Sequence, residues 1–240
     1  MVAPLRIAVV GGGLFGCTAA IHASRAGHDV HLYERNAALM QCASSVNQFR
    51  LHRGYHYPRS PETGWECRAG NVSFWREYSR AVITPEKRKH GRLVYAIAGK
   101  GSKVTGAEFL SFCDAEGLPY RVTPAAPLLT NVELAVDVLE SAIDPHKLTE
   151  LVEAKLKEAG VVIHLGTPAT RSLRDEYERT IVAAYAGTNA VLGELGCPLE
   201  RFQYEVVEKP ILRMPPAFKD ISIVVMDGEF CSLDPRSIAR

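Results

Sequence analysis

Apolar residues along the chain fall into two rhythms, one of strands and one of helices. Arg6–Val10 is a short β-branched run that reads as a buried parallel strand. Gly11–Gly13 follow as a tight turn. Leu14–Ala26 then reads as a helix with Gly16, Ala19, Ala20 and Ala23 forming one small face, and Gly27 fits a left-handed stop behind it. Asp29–Tyr33 is a second strand, ending at Glu34. Together these make a β-α-β unit, a crossover that is right-handed in nearly all proteins. Far downstream, Asp144 is placed to cap a helix with Pro145 at its first position. Leu148, Leu151, Val152 and Leu156 recur with helical period, Gly160 closes the helix, and Val161–Leu165 and Thr180–Tyr185 read as further strands.

The remaining segments alternate differently. Arg92–Ile97 reads as a strand, and Thr105-Gly-Ala-Glu108 is a capping box opening a helix that runs through Glu116. Val132–Val138 alternates like a half-buried strand. Gln203–Met214 and Ile221–Met226 are long strand candidates, and Asp227-Gly228 makes a hairpin turn into Glu229–Leu233. Phe74, Trp75 and Tyr78, at helical spacing, read as core. The pattern predicts an α/β protein whose parallel layer is interrupted by a more antiparallel α+β insertion. The division expected is 1–75 plus 140–200 for the first domain and 76–139 plus 201–240 for the second.

Composition narrows the partners. In 240 residues, 28 Lys and Arg face 27 Asp and Glu, for a net charge of +1. That balance argues against nucleic acid or an anionic membrane as the main partner. No apolar run approaches the roughly 18–20 residues of a membrane span. Six scattered cysteines (17, 42, 67, 113, 197 and 231) form no C-x-x-C pair, which suits reduced thiols in a cytoplasmic protein and argues against a zinc site or disulfide scaffold. The histidines form no metal constellation with carboxylates, and there is no G-x-S-x-G elbow and no P-loop.

The chemistry sits in the first β-α-β unit. Gly11-Gly12-Gly13-Leu14-Phe15-Gly16 is a G-x-G-x-x-G placed between a strand and a helix, and Glu34 ends the next strand 18 residues beyond Gly16. Gly11 permits the turn, Gly13 lets a pyrophosphate approach the backbone, and Gly16 lets the helix sit close to the strand. The helix N-terminus, with Leu14 and Phe15 in its first turn, offers N–H groups and partial positive charge to the phosphates. The Glu34 carboxylate accepts hydrogen bonds from ribose hydroxyls and would repel a 2′-phosphate, which disfavours NADP. The competing reading is a glycine-rich turn that binds nothing.

The fingerprint does not distinguish FAD from NAD. The next segment, Ser44-Ser45-Val46-Asn47-Gln48-Phe49-Arg50-Leu51-His52-Arg53-Gly54-Tyr55-His56-Tyr57, turns polar and loop-like where a plain NAD-binding half would enter a third strand. With Gly11–Gly16, Glu34 and the late run Ile181–Gly187, it resembles the D-amino-acid oxidase (DAO)-like family of FAD-dependent oxidoreductases. The pattern Asn47-x-x-x-Leu51-His52-x-Gly54-x-x-Tyr57 is similar to the stretch that runs under the flavin in those enzymes. The resemblance implies a Rossmann-like FAD-binding domain of glutathione-reductase type with an interleaved α+β substrate domain. It implies hydride transfer from a small amine or 2-hydroxy acid to the flavin. By the same resemblance Gly11, Gly13 and Gly16 hold the pyrophosphate, Glu34 the adenine ribose and Arg35 the adenine flank. Ser45, Asn47 and Gln48 meet the pyrophosphate or ribityl side, Leu51 and His52 approach the isoalloxazine, and Ala169 and Ala184 are backbone contacts.

Other residues carry two readings each. His52 is a flavin contact, a covalent flavin link of the kind found in some relatives, or a histidine that fixes its loop. Arg50, Arg53, Arg59 and His56 attract an anionic substrate or the cofactor phosphates, or form a solvated basic loop. Tyr55 and Tyr57 line the substrate site or pack, with one of them expected to pack. Arg213, on the expected strand Gln203–Met214, is a candidate partner for a substrate carboxylate. No catalytic residue is identified. Members of the family continue beyond the hairpin into further strands and a glycine-bearing motif that caps the flavin, so the resemblance implies that part of the site lies outside these 240 residues. Two other readings stay open: an inactive cofactor- or partner-binding module, capable of self-association, and an NAD-dependent dehydrogenase, which the polar 44–57 segment argues against.

Overall fold

The computed structural model describes residues 3–87, 91–125, 127–218, 221–228 and 230–235. Along the chain run β1 (Arg6–Val10), α1 (Leu14–Arg25), β2 (Asp29–Tyr33), β3 (Arg50–Leu51), α2 (Pro61–Tyr78), β4 (Val82–Ile83), β5 (Arg92–Ala98), α3 (Gly106–Ala115), β6 (Tyr120–Val122), β7 (Val132–Val138) and β8 (Ser141–Ile143). They are followed by α4 (Pro145–Ala159), β9 (Val162–His164), α5 (Ser172–Glu176), β10 (Arg179–Val182), α6 (Thr188–Glu194), β11 (Ile221–Met226) and β12 (Cys231–Leu233). The chain divides into two compact units: unit 1 is 1–47 with 146–209, and unit 2 is 48–145 with 210–240.

Unit 1 is the parallel α/β layer. Its sheet has the order β10-β1-β2-β9, and every pair in it is parallel. Strand β1 lies inside the sheet, and Ile7–Val10 are buried without alternation, as a strand covered on both faces requires. Helix α1 buries Gly16, Cys17, Ala20 and Ile21, and Gly27 takes the left-handed conformation (φ +93°) that turns the chain into β2. Helix α4 buries Leu148, Val152 and Leu156 of the four positions its period predicts, and Leu151 is half-buried. The Ser24 hydroxyl donates to the Ala159 carbonyl at 2.6 Å, tying the ends of α1 and α4 together. Ala8, Val10 and Tyr33 pack with Leu173, Tyr177 and Leu195.

Unit 2 holds a five-stranded sheet, β12-β11-β5-β7-β6, antiparallel except for the β5–β11 pair, and a small antiparallel sheet, β3-β8-β4. The predicted capping box is present: Thr105 accepts from the Glu108 N–H, and the Glu108 side chain accepts from the Thr105 N–H. Tyr55, Tyr95, Ile97, Phe109, Val136 and Val224 form the core under α3. The hairpin pairs β11 with β12, with Val224 opposite Ser232; Glu229 in its turn lies outside the described residues.

One predicted strand does not form. Gln203–Met214 carries no regular structure, and its side chains are exposed throughout. Apolar residues make a strand only where a neighbour takes up the backbone N–H and C=O groups, and Pro210 removes a donor from the middle of this segment. Arg213 is therefore on an exposed irregular segment, not on a strand. Helix α2 was legible only in its last turn, where the Phe74 and Tyr78 rings meet tilted, 5.3 Å between centres.

Truncating Phe109, which has no solvent exposure, to Ala should lower stability by about 3–5 kcal/mol in denaturant unfolding. A pH test addresses Asp137 on β7. Burial alone would raise its pKa, but bonds from Arg92 (2.9 Å) and Arg121 (2.8 Å) outweigh burial and hold it below the usual carboxylate value. A depressed native pKa contributes stability above the unfolded pKa, lost as pH falls through the native one. Asp137→Asn should therefore be less stable than the parent at neutral pH. The gap should close once the pH drops below the ordinary aspartate range.

Candidate functional site

The turn between β1 and α1 is built from close approaches that only glycine allows. Gly11 has φ +114°, and a Cβ on it would stand 2.4 Å from the Ala183 carbonyl oxygen at the end of β10. A Cβ on Gly16 would stand 1.8 Å from the Gly11 carbonyl oxygen. One on Gly12 would meet Leu39 and Glu34 at 2.6 and 2.9 Å. Gly13 differs: its backbone is extended (φ −77°, ψ 179°), and a Cβ would meet only the Ser44 hydroxyl, at 3.1 Å. Three of the four glycines are therefore needed by the fold itself. The fourth leaves open the space in front of the helix N-terminus.

That N-terminus carries no acidic residue in its first turn and no side-chain cap from Gly13. Its partial positive charge is left for an anion. The Leu14 N–H donates to the Ser44 hydroxyl at 3.0 Å, and Phe15 is exposed. Ser44 belongs to a short helical turn, Cys42–Ser44, in which Asn47 donates to the Ala43 carbonyl at 3.0 Å and the Ser45 hydroxyl to Cys42 at 3.0 Å.

Glu34 is buried beside the turn. One carboxylate oxygen accepts the Gly12 N–H at 2.6 Å, and the other accepts the Asn36 N–H at 2.8 Å. A carboxylate has about four lone-pair sites, so two backbone bonds leave room for two hydroxyl donors. The Glu34 carbonyl takes the Thr167 N–H at 2.9 Å, which brings the segment leading to Ala169 against the same strand end. Arg35 is exposed next to it. Ala184 follows Ala183 at the Gly11 turn, where its N lies 3.4 Å from the position a Gly11 Cβ would take.

Of the predicted residues, Gln48, Leu51, His52, Tyr57 and Arg213 lie in unit 2. Leu51 is buried in β3, paired with Ser141, and Gln48 is exposed. The His52 carbonyl accepts from Asn71 of α2 at 3.2 Å, and its Nδ1 lies 3.5 Å from Glu140. Tyr55 is a core residue with its hydroxyl donating to the Pro119 carbonyl at 2.6 Å; Tyr57 is half-buried. The arginines of this loop are engaged by other groups. Arg50 is buried in an ion pair with Asp234 and bonds Ser232, Arg59 pairs with Asp227 at 3.0 Å, and Arg53 bonds the Leu139 carbonyl. Sequence reasoning passed over Ser44, Asn36, Glu140 and Tyr95. Ser44 had a signal, as a hydroxyl in the loop facing the fingerprint helix. Glu140 had none.

The fold agrees with comparison to known proteins. The family model described as FAD dependent oxidoreductase (DAO) matches residues 6–219, and the chain belongs to that family, whose cofactor is FAD. The chain is 31% identical over 248 residues to the FAD-dependent monooxygenase kojA of Aspergillus flavus, an alignment covering 96% of this chain and 58% of kojA. Glycine oxidase from Geobacillus kaustophilus shares the fold with a TM-score of 0.54 at 14% identity, over 81% of this chain and 59% of that one. The L-alpha-glycerophosphate oxidase from Mycoplasma pneumoniae, solved with FAD bound, matches with a TM-score of 0.53 at 16% identity, over 70% and 46% of the two chains. Among the described residues no helix is long and apolar enough to cross a membrane, and no group of three or more His, Cys, Asp and Glu is placed to hold a metal ion.

The glycines can be separated experimentally. Gly13→Val should leave the thermal midpoint nearly unchanged but weaken FAD binding about tenfold or more, the equivalent of about one lost charge-assisted hydrogen bond. Gly16→Ala should instead cost about 3 kcal/mol of stability, because its Cβ has nowhere to go. Calorimetry paired with flavin titration reads both effects.

Proposed function

We propose that the chain binds FAD through unit 1 and belongs to an enzyme that oxidises a small amine or 2-hydroxy acid. The observation that carries this is the open space at Gly13, set between a helix N-terminus with no acidic residue in its first turn and a carboxylate with lone pairs to spare. Gly11, Gly13, Leu14, Phe15 and Gly16 are assigned to the pyrophosphate, Glu34 to the adenine ribose, and Arg35, Ala169 and Ala184 to the adenine end. Ser45 and Asn47 are assigned to the side facing the ribityl chain. Gln48, Leu51 and His52 in unit 2, with Tyr57 for substrate, rest on the family resemblance alone, as does Arg213. When bound, FAD supplies the hydride acceptor; the chain's own groups hold the diphosphate, orient the sugar and place donors and acceptors around the substrate. Unit 1 is thus read as the cofactor-binding part and unit 2 as part of the substrate domain.

The six free cysteines support a cytoplasmic setting. The exposed apolar side chains of Val206, Val207, Ile211 and Leu212 support self-association or a partner chain over that segment.

Purified chain should be yellow, release FAD on acid treatment, and lose its visible flavin band when an amine or 2-hydroxy acid is added without oxygen. Glu34→Gln should weaken FAD binding while sparing the fold. A colourless chain that titration cannot load with FAD would sink the reading. A yellow chain that no amine or hydroxy acid bleaches would define a binding module without turnover.

A further inference from the structure

A second buried carboxylate organises unit 2. Glu140, with no solvent exposure, sits in the turn between β7 and β8. A charge at such a position persists only when donors converge on it. The antiparallel pairing of Arg50 with Ala142 and Leu51 with Ser141 brings the following loop residues up to it. The Arg53 N–H donates to Oε1 at 2.7 Å, the Tyr95 hydroxyl donates to Oε2 at 2.9 Å, and His52 Nδ1 lies 3.5 Å from Oε2. Burial alone would raise the Glu140 pKa, but His52 and the Arg53 N–H outweigh it and hold the group below its ordinary value, so it is ionised at neutral pH.

The consequence falls on His56. An ionised carboxylate only accepts, so the single Tyr95 proton goes to Glu140. The other contact of that hydroxyl, 2.9 Å to His56 Nδ1, must then be donated by the histidine. Nδ1 carries the ring proton, and Nε2 is left as a lone pair, with no protein partner among the described residues. Burial first, then His52 and Arg50, push the His56 pKa down to about 4, against the opposing pull of Glu140 and Asp234. Arg50 is itself paired with Asp234. The ring also packs against His52, Tyr57, Tyr95 and Phe230. A histidine with so low a pKa is a poor general base at neutral pH, yet a permanent hydrogen-bond acceptor.

We propose that His56 is a specificity-determining acceptor: Glu140, acting through Tyr95 as positioning residues, locks the Nδ1–H tautomer, and Nε2 takes a hydrogen bond from an ammonium or hydroxyl group of the substrate. This rests on the substrate class proposed above. A site built with a fixed lone pair favours ligands that bring a donor and penalises those that bring a second acceptor.

Nitrogen-15 side-chain spectra of the 240-residue chain, between about pH 5.5 and 8, test the tautomer without any flavin. His56 should show a protonated Nδ1 and a bare Nε2 across the range, and Tyr95→Phe should convert it to a mixture of tautomers. Glycine and L-lactate, which carry donors, should shift the Nε2 resonance in the parent; acetate, which carries none at neutral pH, should not. A protonated Nε2 in the parent, no response to either donor, or an equal response to acetate overturns the proposal, even where Tyr95→Phe fails to fold. A chain that passes these tests but whose bound flavin none of these compounds reduces would sink the oxidation reading alone.

Discussion

Unit 1 depends on one carboxylate accepting one backbone N–H. Glu34, at the end of β2, takes the Gly12 N–H at 2.6 Å and so clamps the β1–α1 turn to the neighbouring strand. A slip of β2 by one residue would move that carboxylate about 3.3 Å and turn it to the other face of the sheet. The Gly12 N–H would then be buried without a partner, at a cost of about 1–3 kcal/mol. The close approaches of Gly11 to Ala183 and of Gly16 to Gly11 depend on the same register. The residue proposed to meet a ribose is thus also the residue that holds the β1–α1 turn in place. The two roles are compatible because a carboxylate has more lone pairs than the backbone uses.

Unit 2 meets the same physical demand with different donors. Glu140 is satisfied by a loop N–H and a tyrosine hydroxyl, and the proton order this imposes runs on to His56. Around it the basic character of the 50–59 loop is largely cancelled. Arg50 and Arg59 are paired with Asp234 and Asp227, two residues from the far end of the chain. A run of arginines in sequence therefore does not become a positive surface when the fold brings carboxylates to it.

Much of the fold was legible in local patterns. The β1–α1–β2 unit, the capping box of Thr105 and Glu108, and the stripe Leu148, Val152, Leu156 on α4 all form where the sequence predicts them. Each is specified by residues within a few turns of one another. Helix α2 was harder: Pro61 marks its first position, but few apolar residues follow at helical spacing, and only Gly64 and Tyr78 are buried. The run 203–214 shows the opposite case. It carries apolar, β-branched residues, but a strand is a pairing, and no strand among the described residues lies beside it to complete the ladder.

By itself the sequence determined the glycine turn, helix start and strand-end acid proposed to hold the cofactor, because these lie within the first 34 residues in a recognisable local pattern: a turn that needs glycine, a helix start that needs no acid, a strand end that needs one. Only the tertiary structure decided which other polar groups go inside. Ser44 reaches Leu14 across 30 residues, Glu140 reaches Tyr95 across 45, and Arg53 reaches Glu140 across 87. No periodicity encodes such contacts. A buried carboxylate and an exposed one are the same letter in a sequence, and what separates them is whether the packed chain delivers donors to the spot.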